Sequence, residues 1–382
     1  MKKKIILTML IGALCFSPLF SAGQQEKKSV NPGVAISETA EGTSKPEWLV
    51  ENTDEYITII DCVGNQVTIN KPVNTVIAEG MGEVFAVIKA LKAEELIVAS
   101  NDYVMRNEAF FPVIANLPPI SEGGAVDYEK IISLDPDLLC MDPDFYHRYE
   151  ALASEVTIIQ LSFESTKAVS ILGAILDRED EATEFIEWIE SYTNVVDERI
   201  QTLSKEELKD VFFYYGGEYG MSPPPPYGTF GSDNFLKNEL IRKAGGRSLS
   251  RDIPGNWVAV DPEWVIEQNP KMIIRECYIV SQTPEMGYGV NDLSGAKTLM
   301  DNISEQPAFE SSDAVKTGNV HMIYGDLVTD SWFVSLIYLA KWFHPDLFND
   351  LDPEKMHQEY ITRFQRLDFD VSKQGIFSYS LE

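Results

Sequence analysis

Two segments of the chain share one pattern, and this repetition constrains the fold more than any other feature of the sequence. The first begins at Asp127 and the second at Asp261, 134 residues later. Each has a glutamate two residues on (Glu129 and Glu263), a proline seven residues after the glutamate, and then an apolar run. The acidic start suits a helix N-terminus, the proline ends the helix, and the apolar run predicts a buried strand. The spacing is too long for a solenoid repeat and favours one helix–strand unit in each of two similar lobes.

Strands and helices alternate through the rest of the chain. Short apolar runs predict strands at residues 56–61, 66–69, 75–78, 96–99, 138–141, 156–159, 211–215 and 320–324. Apolar residues at helical spacing predict helices at residues 82–91, 145–154, 232–244, 332–343 and 353–367. This alternation favours mostly parallel sheets with helices on both faces, because parallel strands need crossover connections.

One long stretch separates the two halves. Residues 179–203 contain neither proline nor glycine, and their apolar residues form a helical stripe. At about 1.5 Å per residue this helix would extend about 37 Å, long enough to run behind two lobes. We therefore predict an α/β fold with lobes at residues 54–177 and 206–382, bridged by a helix at residues 178–205.

The N-terminus has the features of an export signal. Three lysines precede an apolar run to Phe20, and small residues follow up to Gly23, so that residues 1–23 are expected to be cleaved. The polar residues 24–53 are then expected to form a disordered tether. Lipidation at Cys15 stays open as an alternative, although the bulky Leu before it suits a lipobox poorly. In either case the protein is expected outside the cytoplasm, in a periplasm or on the outer face of the membrane.

Composition and motifs exclude several classes of function. The net charge of −29 becomes −32 without the first 23 residues, which disfavours nucleic acids and anionic membranes as partners. The mature chain keeps three cysteines (Cys62, Cys140 and Cys277), whose spacing matches no zinc site or disulfide framework. The sequence has no nucleophile elbow, phosphate-binding glycine-rich loop or zinc-protease motif. We therefore expect a binding protein instead of an enzyme, with no catalytic residues and no cofactor.

A series of short motifs runs through almost the whole mature chain. They are Asp61-x-x-Gly64-x-x-Val67, Glu129 with Pro136-Asp137, Ala244-Gly245-Gly246, Glu263 with Asn269-Pro270, Ala314-Val315-Lys316, and Leu339-Ala340-Lys341. Their order and spacing resemble the substrate-binding proteins of ABC importers, of the class that carries iron–siderophores, haem and cobalamin. The resemblance implies two Rossmann-like lobes with mostly parallel sheets, bridged by one long helix. Thr75, where the family usually has arginine, and the prolines at 223–226 depart from its pattern.

The resemblance also implies partners. A protein of this class binds a small-molecule metal chelate as a monomer and delivers it to a permease dimer that works with ATPase subunits. In this family, glutamates at the positions of Glu129 and Glu263 pair with arginines of the permease, one lobe on each subunit. A partner with near two-fold symmetry needs the same charge presented twice, and the repeated segments provide it.

The ligand site is expected between the lobes, because open α/β sheets bind ligands beyond the carboxyl ends of their strands. Aromatic walls suit a flat or greasy chelate, and Arg275 can pair with carboxylate or catecholate oxygens. Reading each predicted strand forward gives the candidate ligand-binding residues Met81, Tyr103, Asp142, Tyr146, Tyr215, Arg275, Tyr278 and Trp332, with Trp257 at the rim.

The resemblance implies an iron–siderophore complex as the expected ligand. Because the chain has only four histidines, we expect the metal to arrive already chelated. A corrinoid, or a haem ligated by a tyrosine, stays open as an alternative. A bare zinc or manganese site would use His147 and His321, which fall in opposite lobes near strand ends. We expect no direct metal ligand in the protein.

Overall fold

The computed structural model describes residues 45–122, 124–215, 227–277 and 286–381. The predicted signal peptide, the first part of the predicted tether and the prolines at 223–226 lie outside these ranges. Order begins earlier than predicted, because β1 (Leu49–Asn52) pairs antiparallel with β2 (Tyr56–Ile60), which pairs with β3 (Gln66–Asn70). Trp48, just before β1, is buried with 8% exposure. The boundary predicted at residue 54 is therefore too late.

The N-terminal lobe is built on a three-stranded parallel sheet. Its strands are β4 (Val76–Glu79), β7 (Leu138–Met141) and β8 (Ile158–Gln160), in the order β4-β7-β8. Every residue of β4 and β7 is buried, so both faces of these strands are covered. The other elements of this lobe are α1 (Glu83–Ala90), α2 (Asp102–Arg106), β5 (Ser121–Glu122), β6 (Ala125–Val126), α3 (Tyr128–Ser133) and α4 (Lys167–Ile175).

Two local predictions for this lobe are wrong. Residues 96–99 do not form a strand, because only Ile97 bridges to β4 and the chain then turns into α2, which Asn101 caps. The helix predicted at residues 145–154 is instead a pair of 3₁₀ turns, Pro143–Arg148 and Glu150–Leu152. Short apolar runs of this kind do not separate strand, helix and buried turn by periodicity alone.

The helix α5 (Glu179–Ile200) connects the lobes, as predicted. Acidic residues fill its first turn and Arg199 lies in its last turn, an arrangement that complements the helix dipole. Its apolar stripe is buried against the C-terminal part of the chain. The rings of Phe185 and Trp188 lie 4.7 and 4.8 Å, centroid to centroid, from the ring of Phe364.

The C-terminal lobe contains a larger, mixed sheet with the order β12-β10-β9-β13-β14-β15, and β11 also pairs with β9. Its strands are β9 (Lys209–Tyr215), β10 (Gly228–Phe230), β11 (Gly246–Ser248), β12 (Trp257–Ala259), β13 (Met272–Cys277), β14 (Val320–Tyr324) and β15 (Ser378–Ser380). The central strands β9, β13 and β14 are parallel, whereas β10, β12 and β15 are antiparallel to their neighbours.

Seven α-helices follow α5 in the part of the chain that the structure describes. They are α6 (Phe235–Lys243), α7 (Pro262–Gln268), α8 (Ser294–Ser304), α9 (Asp313–Lys316), α10 (Gly325–Thr329), α11 (Trp332–Phe343) and α12 (Pro353–Glu359). The predictions covered four of them: α6, α7, α11 and α12. The side chain of Asn234 caps α6, so this helix begins three residues later than predicted.

The two repeated segments fold alike. The first forms α3 and β7, and the second forms α7 and β13. In each, the residue before the shared proline is left-handed, with φ 48° at Asp135 and φ 43° at Asn269. The prediction of one helix–strand unit in each lobe is therefore confirmed, and the two units agree down to the conformation of the linking residue.

The C-terminal segment does not stay in the second lobe. A π-helical turn (Tyr360–Phe364) follows α12, and the next side chain, Gln365, donates a 2.9 Å hydrogen bond to the carbonyl oxygen of Ala86 in α1. The chain then returns to the larger sheet, where β15 pairs with β14. Residues 353–381 therefore contact both lobes.

We predict that Asp135→Val destabilises the protein by roughly 1–2 kcal/mol, because a β-branched side chain is strained in the left-handed region. Asp135 is exposed, so the change removes no core contact. Asp135→Gly is the matched control and is expected to be tolerated, since glycine enters this region freely. Urea unfolding of the three proteins measures the difference, and equal midpoints for Val and wild type would contradict it.

Candidate ligand-binding cleft

A cleft of about 360 Å³ lies between the two lobes. One wall follows the carboxyl ends of β4, β7 and β8, which is where ligands bind in open α/β sheets. Its residues are Met81, Glu83, Asp142, Asp144, Phe145, Phe163 and Glu164. The other wall comes from the start of α6, the start of β12 and the end of α10. Its residues are Asp233, Asn234, Phe235, Leu236, Lys237, Asn256, Trp257 and Thr329.

The lining of the cleft is acidic. The N-terminal lobe contributes two aspartates and two glutamates, and the C-terminal lobe contributes Asp233. Lys237 is the one basic residue among these lining residues, and its ammonium group forms a buried ion pair with Glu276 of β13. Because this cation is already neutralised, the described lining presents carboxylates to a ligand.

Burial shifts the protonation of three of these acids, and it raises the pKa of Glu164 above its usual value. Desolvation, with the nearby Asp142, raises the pKa of Glu83 to about 8, although one of its oxygens accepts a 2.9 Å hydrogen bond from the backbone N–H of Met81. Desolvation also raises the pKa of Asp142 to about 6, with smaller contributions from Asp144 and Glu164. At neutral pH Glu83 therefore holds a proton, whereas Asp142 is mostly ionised.

Aromatic rings cover part of the C-terminal wall. Trp257 is 40% exposed and Phe235 is 67% exposed, high values for side chains of this size. Tyr215 packs edge-on against Trp257 at a centroid distance of 4.4 Å and holds it from behind. These rings offer a ligand two apolar faces beside the carboxylates.

The structure brings only some of the predicted ligand-binding residues to the cleft. Met81, Asp142 and Trp257 line it, and Tyr215 is buried behind Trp257. Trp332 borders an adjoining pocket that shares Glu164, Phe235 and Leu236 with the cleft, and the ammonium of Lys243 lies 5.1 Å from its ring. Tyr146 packs on the apolar core of the N-terminal lobe. Tyr278 lies outside the described residues.

Tyr103 contacts the other lobe. Its hydroxyl donates a hydrogen bond to Asp326 of α10, and the amide of Asn107 donates to the same carboxylate. The hydroxyl of Tyr324 donates to Asp326 from within its own lobe. Burial and the adjacent carboxylate raise the pKa of Tyr103 well above its usual value. This cluster joins the lobes at the floor of their junction.

Arg275 lies inside β13 instead of following the strand. It is 4% exposed, and its guanidinium group lies 5.1 Å from the ring of Tyr214. Consecutive strand residues point to opposite faces, so Arg275 points away from the face on which Glu276 meets Lys237 beside the cleft. Reading the predicted strand forward placed Arg275 beyond its end, and this placement is wrong because β13 continues to Cys277.

The histidines of the bare-metal alternative lie apart from the cleft lining. His321 is the second residue of β14, at the opposite end of the strand from α10, and its ring stacks on Trp342 at 4.6 Å. His147 is exposed and its Nδ1 lies 2.9 Å from the carbonyl oxygen of Asp144. Over the part of the chain that the structure describes, no group of three or more histidine, cysteine, aspartate or glutamate residues could hold a metal ion.

Sequence reasoning missed several lining residues. Glu164 comes shortly after β8 and could have been found with the same strand-end rule that gave Asp142. Phe235 and Lys237 come from the first turn of α6, and Glu83 begins α1. No sequence signal distinguishes such helix-start residues from ordinary surface positions.

Comparison with known proteins identifies the family. The sequence profile of the periplasmic binding protein family matches residues 77–326, more than half of the chain. The chain belongs to this family. Its members bind solutes for ABC importers, which agrees with the expectation of a binding protein instead of an enzyme. The wider fold, with two lobes joined by α5, is that of the class III binding proteins.

Individual relatives are distant. An uncharacterized ABC transporter substrate-binding lipoprotein of Bacillus subtilis, YvrC, is 26% identical over 243 residues, 59% of this chain and 67% of the relative. The TroA-like periplasmic binding protein FepB of Veillonella parvula has a TM-score of 0.71 at 21% identity, over 85% of this chain and 99% of that one. Molybdate-bound MolA of Haemophilus influenzae has a TM-score of 0.63 at 15% identity, over 82% and 98%.

We predict that stability falls as the pH rises from about 5 to 8, in part because of Glu83. A glutamate in the unfolded chain ionises at its ordinary pKa of 4.5, whereas the folded one ionises near about 8. Between these values the folded state binds the extra proton, so unfolding becomes easier by on the order of 1 kcal/mol per pH unit. Glu83→Gln keeps an oxygen acceptor for Met81 and is expected to flatten this dependence.

Urea unfolding at pH 5 and pH 8 measures the effect as the difference between wild type and variant. Glu187→Gln, an exposed change on α5, serves as the control and is expected to retain the wild-type slope. A Glu83→Gln protein with the same slope as wild type would show that Glu83 titrates normally.

Proposed function

We propose that this binding protein captures a metal chelate between its lobes and delivers it to the permease of an ABC importer. Substrate-binding proteins of this kind work with permease and ATPase components, and the cleft at the carboxyl ends of β4, β7 and β8 carries the proposal. The chelate that we propose is an iron–siderophore complex. A corrinoid or a haem would use the same aromatic wall of Phe235 and Trp257, and each remains an alternative.

Binding of a ready-made chelate is favoured over binding of a bare ion. Among the described residues, no group of three or more histidine, cysteine, aspartate or glutamate side chains could hold a metal ion, and the volume of about 360 Å³ falls in the range of small-molecule sites. His147 and His321 lie outside the cleft lining, and this placement supports a chelate over a bare ion.

We propose that Glu129 and Glu263 dock the protein on the permease, one lobe to each subunit, so that a single copy spans the dimer. Both glutamates are exposed in the first turn of equivalent helices, α3 and α7. Three residues further along each helix, Ile132 and Ile266 are 46% and 48% exposed. The two lobes therefore present the same charged and apolar pair, as a nearly two-fold partner requires.

The double variant Glu129→Lys/Glu263→Lys is expected to abolish uptake and to leave ligand affinity unchanged. Close charge pairs at interfaces couple by roughly 1.5–7 kcal/mol, so reversal of both charges replaces two attractions with two repulsions. Uptake of a labelled chelate by cells that carry the importer measures transport, and calorimetry measures affinity.

Glu187→Lys/Glu310→Lys is the matched control, since it makes the same charge change at two exposed positions outside the repeated segments. Normal transport by the first variant, or equal loss in both, would contradict docking through Glu129 and Glu263.

We also propose that the protein is exported, with cleavage near Gly23. The relative YvrC is described as a lipoprotein, which keeps attachment through Cys15 as the second candidate. In the described part of the chain, no helix combines the length and apolar character needed to cross a membrane. Intact-mass measurement of protein from its natural host is expected to show a chain that starts at Gln24. A chain that starts at a diacylated Cys15 would contradict cleavage at Gly23.

A further inference from the structure

We infer that the ligand of the cleft is a positively charged complex. This inference rests on the proposed carrier function and narrows its substrate class. Among siderophores, it selects a ferric hydroxamate with a free ammonium group over a ferric catecholate, which is an anion. Three observations support the inference. The cleft lies at the carboxyl ends of parallel strands, its lining is acidic, and aromatic rings are exposed in it.

The charge of the lining is the first observation. With Glu83 protonated, four acids still line the cleft: Asp142, Asp144, Glu164 and Asp233. They come from both lobes, so a ligand between the lobes has carboxylates on two sides. An anionic ligand would have to approach them without a free cation among the described lining residues, because Lys237 is paired with Glu276.

The neighbouring sequence does not reverse this charge. The internal segments that the structure leaves undescribed, residues 216–226 and 278–285, contain Glu218 and Glu285 and no lysine, arginine or histidine. Whatever their placement, they add no basic side chain to the site. Arg275, the residue expected to receive an anionic chelate, points to the other face of its sheet.

The aromatic wall is an independent observation that also favours a cationic ligand. Trp257 and Phe235 are exposed to the cleft beside Asp233, and the face of an aromatic ring attracts cations. Carboxylates accept hydrogen bonds and have no donor of their own when ionised, so they suit a ligand that carries N–H groups. A pendant ammonium meets both requirements, since it can lie against a ring and donate to two carboxylates.

The cation must bring its own metal ligands. The acids that line the cleft do not form a group that could hold a metal ion, and no such group occurs elsewhere in the described residues. The carboxylates are therefore expected to bind through charge and hydrogen bonds to the outside of a complex, with no direct bond to the metal.

Two cobalt(III) complexes of similar size test the charge without assuming a siderophore. Hexaamminecobalt(III) is a cation with N–H donors, and tris(oxalato)cobaltate(III) is an anion; both exchange ligands slowly, so the protein cannot coordinate the metal. Calorimetric titration is expected to give one site that binds the cation at least tenfold more tightly. Equal affinity, preference for the anion, or no binding of the cation at millimolar concentration would overturn the inference.

Substitutions locate the binding. Asp142→Asn/Glu164→Gln retains oxygen acceptors but removes two charges, and it is expected to weaken binding of the cation at least tenfold. Glu187→Gln removes a charge from the exposed side of α5 and is expected to leave the affinity unchanged. An equal effect of both variants would mean that the cation binds to the acidic surface in general, and would overturn assignment to the cleft.

Ferrioxamine B and its N-acetyl derivative extend the test to the proposed ligand. The two contain the same ferric hydroxamate centre, and acetylation removes only the charge of the pendant ammonium. Ferrioxamine B is expected to bind at least tenfold more tightly than the neutral derivative, and equal affinities would overturn the inference. If the cobalt cation binds in the cleft and neither ferric complex does, the charge inference stands and the iron–siderophore proposal fails.

Discussion

Aromatic packing along α5 sets how the two lobes are held. Phe185 and Trp188 lie on one stripe of this continuous helix and contact Phe333, Tyr360 and Phe364 from the C-terminal part of the chain. Aromatic pairs of this kind contribute about 0.5–1.5 kcal/mol each beyond area burial. Because α5 contains no glycine or proline, it offers no local hinge. The width of the cleft is consequently set by how the two lobes pack on this one continuous helix.

Two further contacts reinforce that support at the lobe junction. Gln365 reaches α1 from the C-terminal segment, and Asp326 accepts hydrogen bonds from Tyr103 and Asn107 across the junction. A buried carboxylate is costly unless donors satisfy it, so Asp326 stabilises the observed junction only while both lobes supply those donors. Separation of the lobes would leave the carboxylate of Asp326 with fewer donors. This cost favours the one alignment in which Tyr103 and Asn107 reach it.

The sequence predicted the parts of this molecule that repeat or have a long period. The paired helix–strand units and the helix α11 were found because their patterns extend over enough residues to be unambiguous. The strands β10, β12 and β15 were missed, since each has only three residues and is too short to show a periodic pattern. The rule that ligands bind beyond strand ends predicted that Met81 and Asp142 line the cleft. Both residues closely follow a strand, so their positions depend only on the local direction of the chain. The same rule misplaced Tyr103, whose partner Asp326 is 223 residues away and has no local signature.

The acidic lining of the cleft could not be predicted from the sequence. Its acids come from both lobes and lie close together only once the lobes have packed. A net charge of −29 attracts cations from a distance, but salt screens that attraction within about 8 Å at physiological ionic strength. Selection among ligands must therefore come from groups in contact with them. Asp142 is partly desolvated, so its interaction with a bound ligand is screened less than that of a surface acid. If the ligand is the cation that we propose, overall acidity raises the rate at which it arrives, and Asp142, Glu164 and their neighbours are the groups that would select it.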